Sequence, residues 1–377
     1  MKKNVSKKSL RIAIFCATEF SIPPTPAMKD IYAPLWLTYY IAEVLKKRGH
    51  RVTLFAGSDS KTGAKLVSDG LISLAENKKL SRFYQPLSKL RRENFYQQLL
   101  DRKGIIEEYD YLLLSRMYRE VLKKKFDIVY INLIGLRPLP LAALSETPTV
   151  FTLNAPLSPF YGYVFSEFKK RYPQFHFIGI SRNQVVSAPK LFRKIIYNGI
   201  DLRKFSFNSK PKKYLLTAGR IAESKGIYEA IQVAKRLKEK LIIVGRHTED
   251  EYWHTKIKPN LGKNIRYLGL LPYPKVASIY RNAKAFLFPI KWEEPFGLVM
   301  TESMACGTPV IAFNRGSVPE VIVDGKTGFI VDTVEEMVKA VKKIDLIDRS
   351  DCRAHVEKKF SVEQMVDDYE KEFLKLV

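Results

Sequence analysis

Twice along this chain an apolar run of strand length leads through a loop into a stretch with helical spacing, and out again into a second apolar strand. Few folds accept that pattern. The first pass starts at residues 11–18, crosses a loop holding Pro23, Pro24, Pro26 and Pro34, continues through Leu35, Tyr39, Ala42 and Leu45, and closes at Gly49 before residues 51–56. Short apolar runs on either side of a helical stretch predict a strand–helix–strand crossover. Such crossovers build parallel, doubly wound sheets whose ligands bind at the carboxyl ends of the strands. Later strands are expected at residues 127–132, 149–153, 175–180 and 194–197, with a helix through Ile105, Tyr109, Leu113, Met117 and Val121 ahead of the first. The second pass begins at 214–218, takes a helix at 227–237 to a strand at 241–244, and goes on through strands at 265–268, 285–288 and 310–312.

A chain of 377 residues exceeds the ~250 to 300 residues at which single cores stop growing, so the two passes are read as two domains. The Asn198-Gly-Ile-Asp201 turn and the polar Asn208-Ser-Lys-Pro-Lys212 run divide residues 1–205 from 206–358. A final helix is expected over 359–377, with Ser361 as N-cap and Val362, Met365, Val366, Tyr369 and Phe373 on its apolar face. The fold class is α/β with two Rossmann-like halves.

No apolar stretch reaches the ~18 to 20 residues of a membrane span, and the run at 12–17 behind the basic N-terminus is shorter than the ~7 to 15 residues of a signal-peptide core. A cytoplasmic protein is expected. Cys16, Cys306 and Cys352 are too few and too scattered for a disulfide frame or a metal site. The net charge of +25 is uneven: residues 1–205 hold 35 Lys and Arg against 16 Asp and Glu, or +19, leaving 29 against 23, or +6. That excess points to an anionic partner, an acidic membrane or a phosphorylated substrate; a lysine-rich composition serving only solubility explains it equally. Nucleic acid is not expected, because no recognised binding motif accompanies the charge.

The chemistry concentrates in Phe288-Pro-Ile-Lys-Trp-Glu-Glu-Pro-Phe-Gly-Leu-Val-Met-Thr-Glu-Ser-Met-Ala-Cys-Gly-Thr-Pro-Val-Ile-Ala312. An apolar strand ends at Pro289, a turn carries Glu294, and a helix is expected from Phe296 to Cys306, where Gly307 and Pro309 stop it. Its first N–H groups, on Phe296, Gly297, Leu298 and Val299, together with the positive end of the helix dipole, suit an anion or a hydroxyl-rich ligand. Glu302 lies within the helix. A carboxylate suits a vicinal diol, since each oxygen accepts one O–H. Upstream, Gly219-Arg220-Ile-Ala-Glu-Ser-Lys225-Gly226 joins a strand to a helix and sets two cations at the strand's carboxyl end.

The Phe288 to Ala312 block closely resembles the donor-site signature of glycosyltransferase family four, the group 1 glycosyltransferases. Gly49-His50-Arg51-Val-Thr-Leu-Phe-Ala56, Ser58-Asp-Ser-Lys-Thr62, Tyr197-Asn-Gly-Ile-Asp201 and Phe313-Asn-Arg-Gly-Ser-Val-Pro-Glu320 extend the resemblance over nearly the whole chain. The chain looks most similar to a branch that includes an avilamycin-pathway glycosyltransferase. The resemblance implies a GT-B fold, two Rossmann-like domains facing across a cleft with the last helix crossing back to the first. It also implies a retaining, metal-independent hexosyltransferase that uses no cofactor beyond its nucleotide-sugar donor. By the same resemblance Arg220 and Lys225 would neutralise the departing diphosphate, Glu294 would hold donor-sugar hydroxyls, and Glu302 would accept from the ribose. Main chain around Gly219 and at Gly269-Leu270-Leu271-Pro272 would line the nucleotide, with Leu271 beside the base. UDP is the default nucleotide, as UDP-glucose or a related UDP-hexose, because backbone readout leaves the base open.

Two departures from that pattern stand out. Similar proteins carry Tyr-Gly-Gly after the first strand, where this chain has Tyr32-Ala33-Pro34, and they place His where Asn154 stands in Phe151-Thr-Leu-Asn-Ala-Pro-Leu157. Asn can hydrogen-bond a hydroxyl but cannot carry a proton. Two further readings therefore stay open, a phosphorylase or sugar-phosphate synthase of the same fold, and a non-catalytic sugar-nucleotide-binding protein. The hydroxyl acceptor is unknown. Lys78, Lys79, Arg82, Lys89, Arg91, Arg92, Arg102 and Lys103 alternate with Phe83, Tyr84, Phe95 and Tyr96, which fits peripheral contact with an acidic membrane, on its inner face, or a solvated helical hairpin.

Overall fold

The computed structural model describes residues 8–24, 33–80, 83–84, 95–133 and 135–377. The chain divides into two compact units, one of Met1–Gly179, Ala188–Ile196 and Val366–Val377, the other of Ile180–Ser187 and Tyr197–Met365.

The first unit is built on seven parallel strands: β1 (Arg11–Phe15), β2 (Arg51–Phe55), β3 (Lys65–Val67), β4 (Ile128–Leu133), β5 (Thr149–Leu153), β6 (Phe175–Gly179) and β7 (Phe192–Ile195). Their order is β3-β2-β1-β4-β5-β6-β7, so the winding reverses between β1 and β4. Strands buried on both faces need continuous apolar sequence. Ile12, Ala13, Ile14, Ile128, Val129, Val150 and Phe151 are all fully buried. The helix Ala33–Lys47 follows β1 and buries Leu37, Ile41, Ala42 and Leu45. The long helix Phe95–Val121 precedes β4 and turns Leu113, Met117 and Val121 inward, the spacing read from sequence. The expected strand at 194–197 lies two residues earlier, and its pairing with β6 shifts register at Phe177/Ile178.

Residues of the last helix, Val362–Leu376, complete this unit's core. Tyr369 meets the Tyr130 ring edge-on at 5.2 Å and shares a 2.7 Å hydrogen bond with Thr152. Arg48 binds both Asp367 and Glu370 at 2.6 Å.

The second unit repeats the plan with β8 (Leu215–Ala218), β9 (Leu241–Val244), β10 (Ile265–Tyr267), β11 (Ala285–Phe288), β12 (Val310–Phe313) and β13 (Gly328–Val331). Their order is β10-β9-β8-β11-β12-β13, all parallel, and the reversal falls between β8 and β11. The helix Ile227–Leu237 returns from β8 and buries Ile227, Ala230, Ile231, Val233 and Ala234. The division at Tyr197 differs from the 205/206 boundary expected from sequence. Ile200 exchanges backbone hydrogen bonds with Phe360 and Val362, and Phe205 packs in the second core, so the segment follows those contacts. Among the described residues no helix is long and apolar enough to cross a membrane.

The basic and aromatic stretch of the first unit divides. Arg82, Lys89, Arg91 and Arg92 lie outside the described residues. Phe83 is 58% exposed, but Tyr84 is buried and donates to Glu19, which also pairs with the buried Arg102. Arg102 is thus removed from the expected surface patch: a guanidinium that reaches a buried carboxylate stays with it, since leaving either charge unpaired is costly. Lys103 is exposed and lies 3.9 Å from Glu107.

Candidate active site

In the second unit the sequence-predicted residues gather at the carboxyl ends of β8 and β11, the neighbouring strands where the winding reverses and such sheets leave a crevice. Gly219 directly follows β8, and the exposed Arg220 comes next. A single 3₁₀ turn, Glu223–Lys225, then turns the Lys225 side chain back toward the loop after β11. There the Lys225 ammonium donates to Glu294 Oε2, and the Trp292 indole N–H donates to the same oxygen at 3.0 Å. The Lys225 nitrogen also lies 4.8 Å from the centre of the Trp292 ring, within reach of a cation–π attraction. Lys225 and Glu294 retain only 14% and 13% of their side-chain exposure. Burial holds the Lys225 pKa below its ordinary value; Glu294 opposes that shift and nearby Arg220 adds to it.

The loop carrying Glu294 is fixed from below. Ser317 N–H donates to the Glu294 carbonyl at 2.9 Å, and the Ser317 hydroxyl donates to the Phe296 carbonyl at 2.8 Å. Gly316 passes so close that a Cβ there would sit 2.3 Å from the Glu294 nitrogen. Glu293, the neighbour of Glu294, accepts from Gly316 N–H at 2.8 Å and from Asn183 at 3.2 Å, which makes it the loop's anchor.

The helix after this loop runs Leu298–Ala305, two residues later than expected. Gly297 stands at its N-cap with φ 75°, a left-handed conformation that side chains disfavour, and an added Cβ would meet Met300 at 2.7 Å. Phe296 therefore precedes the helix, and its side chain is core, 5.7 Å from Phe360 and 6.1 Å from Tyr197. Leu298 and Val299 are half-buried in the first turn, where a helix's own ladder leaves N–H groups unused. Glu302 is 8% exposed and accepts from the Tyr273 hydroxyl. Burial raises its pKa, while Tyr273 and Tyr280 oppose the rise. Leu271 follows β10 and packs, half-buried, against the core of this unit.

Asn154 and Ala33 belong to the first unit and are not part of this grouping; Tyr32 lies outside the described residues. Ala33 opens the helix after β1, with Pro34 in its first turn, where the missing N–H goes unneeded. Asn154 directly follows β5 and donates through its amide nitrogen to Asn132 Oδ1 on β4. Sequence reading passed over three residues here: Trp292, Tyr273 and Asn132. Trp292 stands inside the quoted block; nothing local marks the other two.

Residues 200–359 match the family of glycosyl transferases group 1. The chain carries a group 1 glycosyl transferase domain. A Klebsiella pneumoniae relative described as an uncharacterized 41.2 kDa protein in the cps region is 31% identical over 212 residues, 51% of this chain and 55% of its own length. Glycogen synthase of Mycobacterium tuberculosis is 31% identical over 144 residues, 36% of this chain and 34% of its own. The chain thus spans about half, or less, of the length of these curated relatives. Among solved structures, AviGT4, a glycosyltransferase involved in avilamycin A biosynthesis, superposes with a TM-score of 0.67 at 17% identity, covering 97% of this chain and 98% of that one. Anabaena Alr3699/HepE in complex with UDP and glucose gives 0.65 at 16% identity, covering 96% and 99%. At such identity the likeness concerns the fold, and the two parallel sheets are the α/β architecture of these GT-B neighbours.

Proposed function

We propose that the protein is a retaining, metal-independent glycosyltransferase that moves a hexose from a UDP-linked donor to a hydroxyl acceptor. The observation that carries this reading is the Lys225–Glu294 pair, held against Trp292 beside Arg220 and ahead of the Leu298–Ala305 helix. As the sugar–phosphate bond breaks, negative charge grows on the departing diphosphate, and fixed cations and N–H groups in a partly dry site stabilise it most where they need not reorganise. Lys225 has three N–H donors and commits one to Glu294. The other two, with Arg220 and the first N–H groups of the helix, remain for the diphosphate. Glu294, braced by Trp292 and Lys225, offers its carboxylate to sugar hydroxyls, and Glu302 offers its own to the ribose. Asn154, in the first unit, is a further candidate to accept from a sugar hydroxyl. The complex of Anabaena Alr3699/HepE with UDP and glucose supports the choice of base and sugar.

The test is a thermal-shift screen of nucleotide sugars followed by donor hydrolysis, because a ligand that binds only the folded chain raises its melting temperature by mass action. UDP-glucose should give the largest shift, and Arg220→Ala and Glu294→Ala should each slow hydrolysis strongly. Absence of any shift with all nucleotide sugars, with phosphorolysis of an oligosaccharide in its place, would replace this reading with that of a phosphorylase.

A further inference from the structure

The two places where this chain departs from similar proteins, Pro34 and Asn154, are joined by one residue. Asn132 Nδ2 donates to the Pro34 carbonyl at 3.1 Å and to the Thr38 hydroxyl at 2.8 Å. The Thr38 hydroxyl in turn gives its own proton to the Pro34 carbonyl at 2.8 Å. Which end of an amide is oxygen is normally an assignment from its surroundings. Here the surroundings decide it. A carbonyl has no hydrogen, and a hydroxyl whose hydrogen is already committed can only accept, so the group facing them must be the Asn132 nitrogen. Its oxygen then faces residue 154, and residue 154 must present an N–H.

Asn154 does so, donating to Asn132 Oδ1. The consequence reaches the other end of the Asn154 amide. Its Oδ1 is buried and takes no hydrogen bond, an acceptor held in place without a donor. We infer that Asn132 is a positioning residue, which, locked by Pro34 and Thr38, turns the Asn154 amide so that its unsatisfied oxygen is presented as the acceptor for a sugar hydroxyl. The inference rests on the proposed glycosyltransferase reading for the identity of that hydroxyl. The orientation itself rests on hydrogen bonds within the first unit. Any side chain at 154 with an N–H toward Asn132 satisfies the lock, so an imidazole and a carboxamide are interchangeable at this point, whereas a carboxylate is not.

Two measurements on the full chain test this, one independent of turnover. Asn154→Asp keeps the shape but sets oxygen against oxygen. Its melting temperature at neutral pH should fall below that of Asn154→His, and the deficit should shrink as pH falls and the carboxyl, once protonated, donates again. In an Asn132→Leu background the two variants at 154 should melt alike. Equal melting of Asn154→Asp and Asn154→His in the Asn132 background would overturn the orientation whatever the reaction proves to be. With UDP-glucose as probe, Asn132→Leu should lower kcat for donor hydrolysis by up to about 10-fold, as misplacement of one positioned contact does, with the UDP thermal shift retained. Adding Asn154→Ala should cost little more, because both changes remove one contact. Losses that multiply would show Asn132 to be merely structural. Loss of the UDP-glucose shift from the wild type itself would count against the proposed function and leave the melting comparison standing.

Discussion

At the strand ends of the second unit, Lys225 and Glu294 meet as opposite charges; at those of the first, Asn132 and Asn154 meet as neutral amides. The sheets beneath them are wound alike, each reversing between its first strand and the strand that follows the excursion to one edge. The difference runs against the overall charge, since residues 1–205 carry +19 and the rest +6. Charge attraction falls slowly with distance and tolerates imperfect angles, whereas an amide hydrogen bond weakens steeply once misaligned. On the proposed function, the charged pair of the second unit would stabilise a charge that grows during reaction, and the amides of the first would hold a hydroxyl at a chosen angle.

The sharpest way to break this contrast is to remove the charges. Arg220→Ala and Glu294→Ala should each lower kcat for donor hydrolysis by about 10²- to 10³-fold, the cost of losing a group that supports developing charge. A loss no greater than that of Asn154→Ala would erase the distinction. Asn154→Ala itself should cost about 10-fold, below that range because a positioned hydroxyl carries no full charge, and Asn154→His should keep the rate. Steady-state kinetics on the variants measured side by side decide between them.

The pH dependence separates the units further. Burial lowers the Lys225 pKa, so its positive charge is lost as pH rises through that lowered value. The alkaline limb of kcat should therefore begin earlier than for an ordinary lysine. Lys225→Arg should move it upward, while variants at Asn154 leave it in place. The smallest expected effect concerns Glu302, whose folded pKa is raised by burial. A carboxyl with a raised pKa contributes stability below its unfolded value and loses that contribution as pH rises through the folded one. Glu302→Gln should thus melt at or slightly above the wild type at neutral pH without ligand, converge with it in acid, and bind UDP more weakly. A lower melting temperature at neutral pH would show that the ionised carboxylate is favoured in the free protein.

Much of this was legible in the chain. The two strand–helix–strand passes predicted all strands of both sheets but the edge strands β3 and β13, because their apolar runs are local, and the helix at 105–121 turns inward Tyr109, Leu113, Met117 and Val121, which its spacing selected. Lys225 and Glu294 were legible for a different reason: each sits in a short run with its own turn and helix start. Asn132 was not, because an asparagine near the end of an apolar strand carries no local mark. Two of its partners stand 94 and 98 residues away in sequence. Arg102 was misplaced on the surface for the same reason, since its partner Glu19 lies 83 residues off. The start of the Leu298–Ala305 helix slipped because Phe296 has helical spacing but is claimed by Phe360 and Tyr197.

The first unit takes its closing pieces, Tyr369, Phe373 and Glu370, from Val366–Val377, beyond the whole span of the second. During synthesis the face of Tyr130 that Tyr369 and Phe373 cover therefore stays open while the ribosome makes the second unit, which needs nothing later than Met365. At ~5 to 20 residues per second that interval lasts on the order of ten seconds or more. The half that begins first is finished last, and a chaperone that shields nascent apolar surface has its longest task on the earliest-made part of the chain.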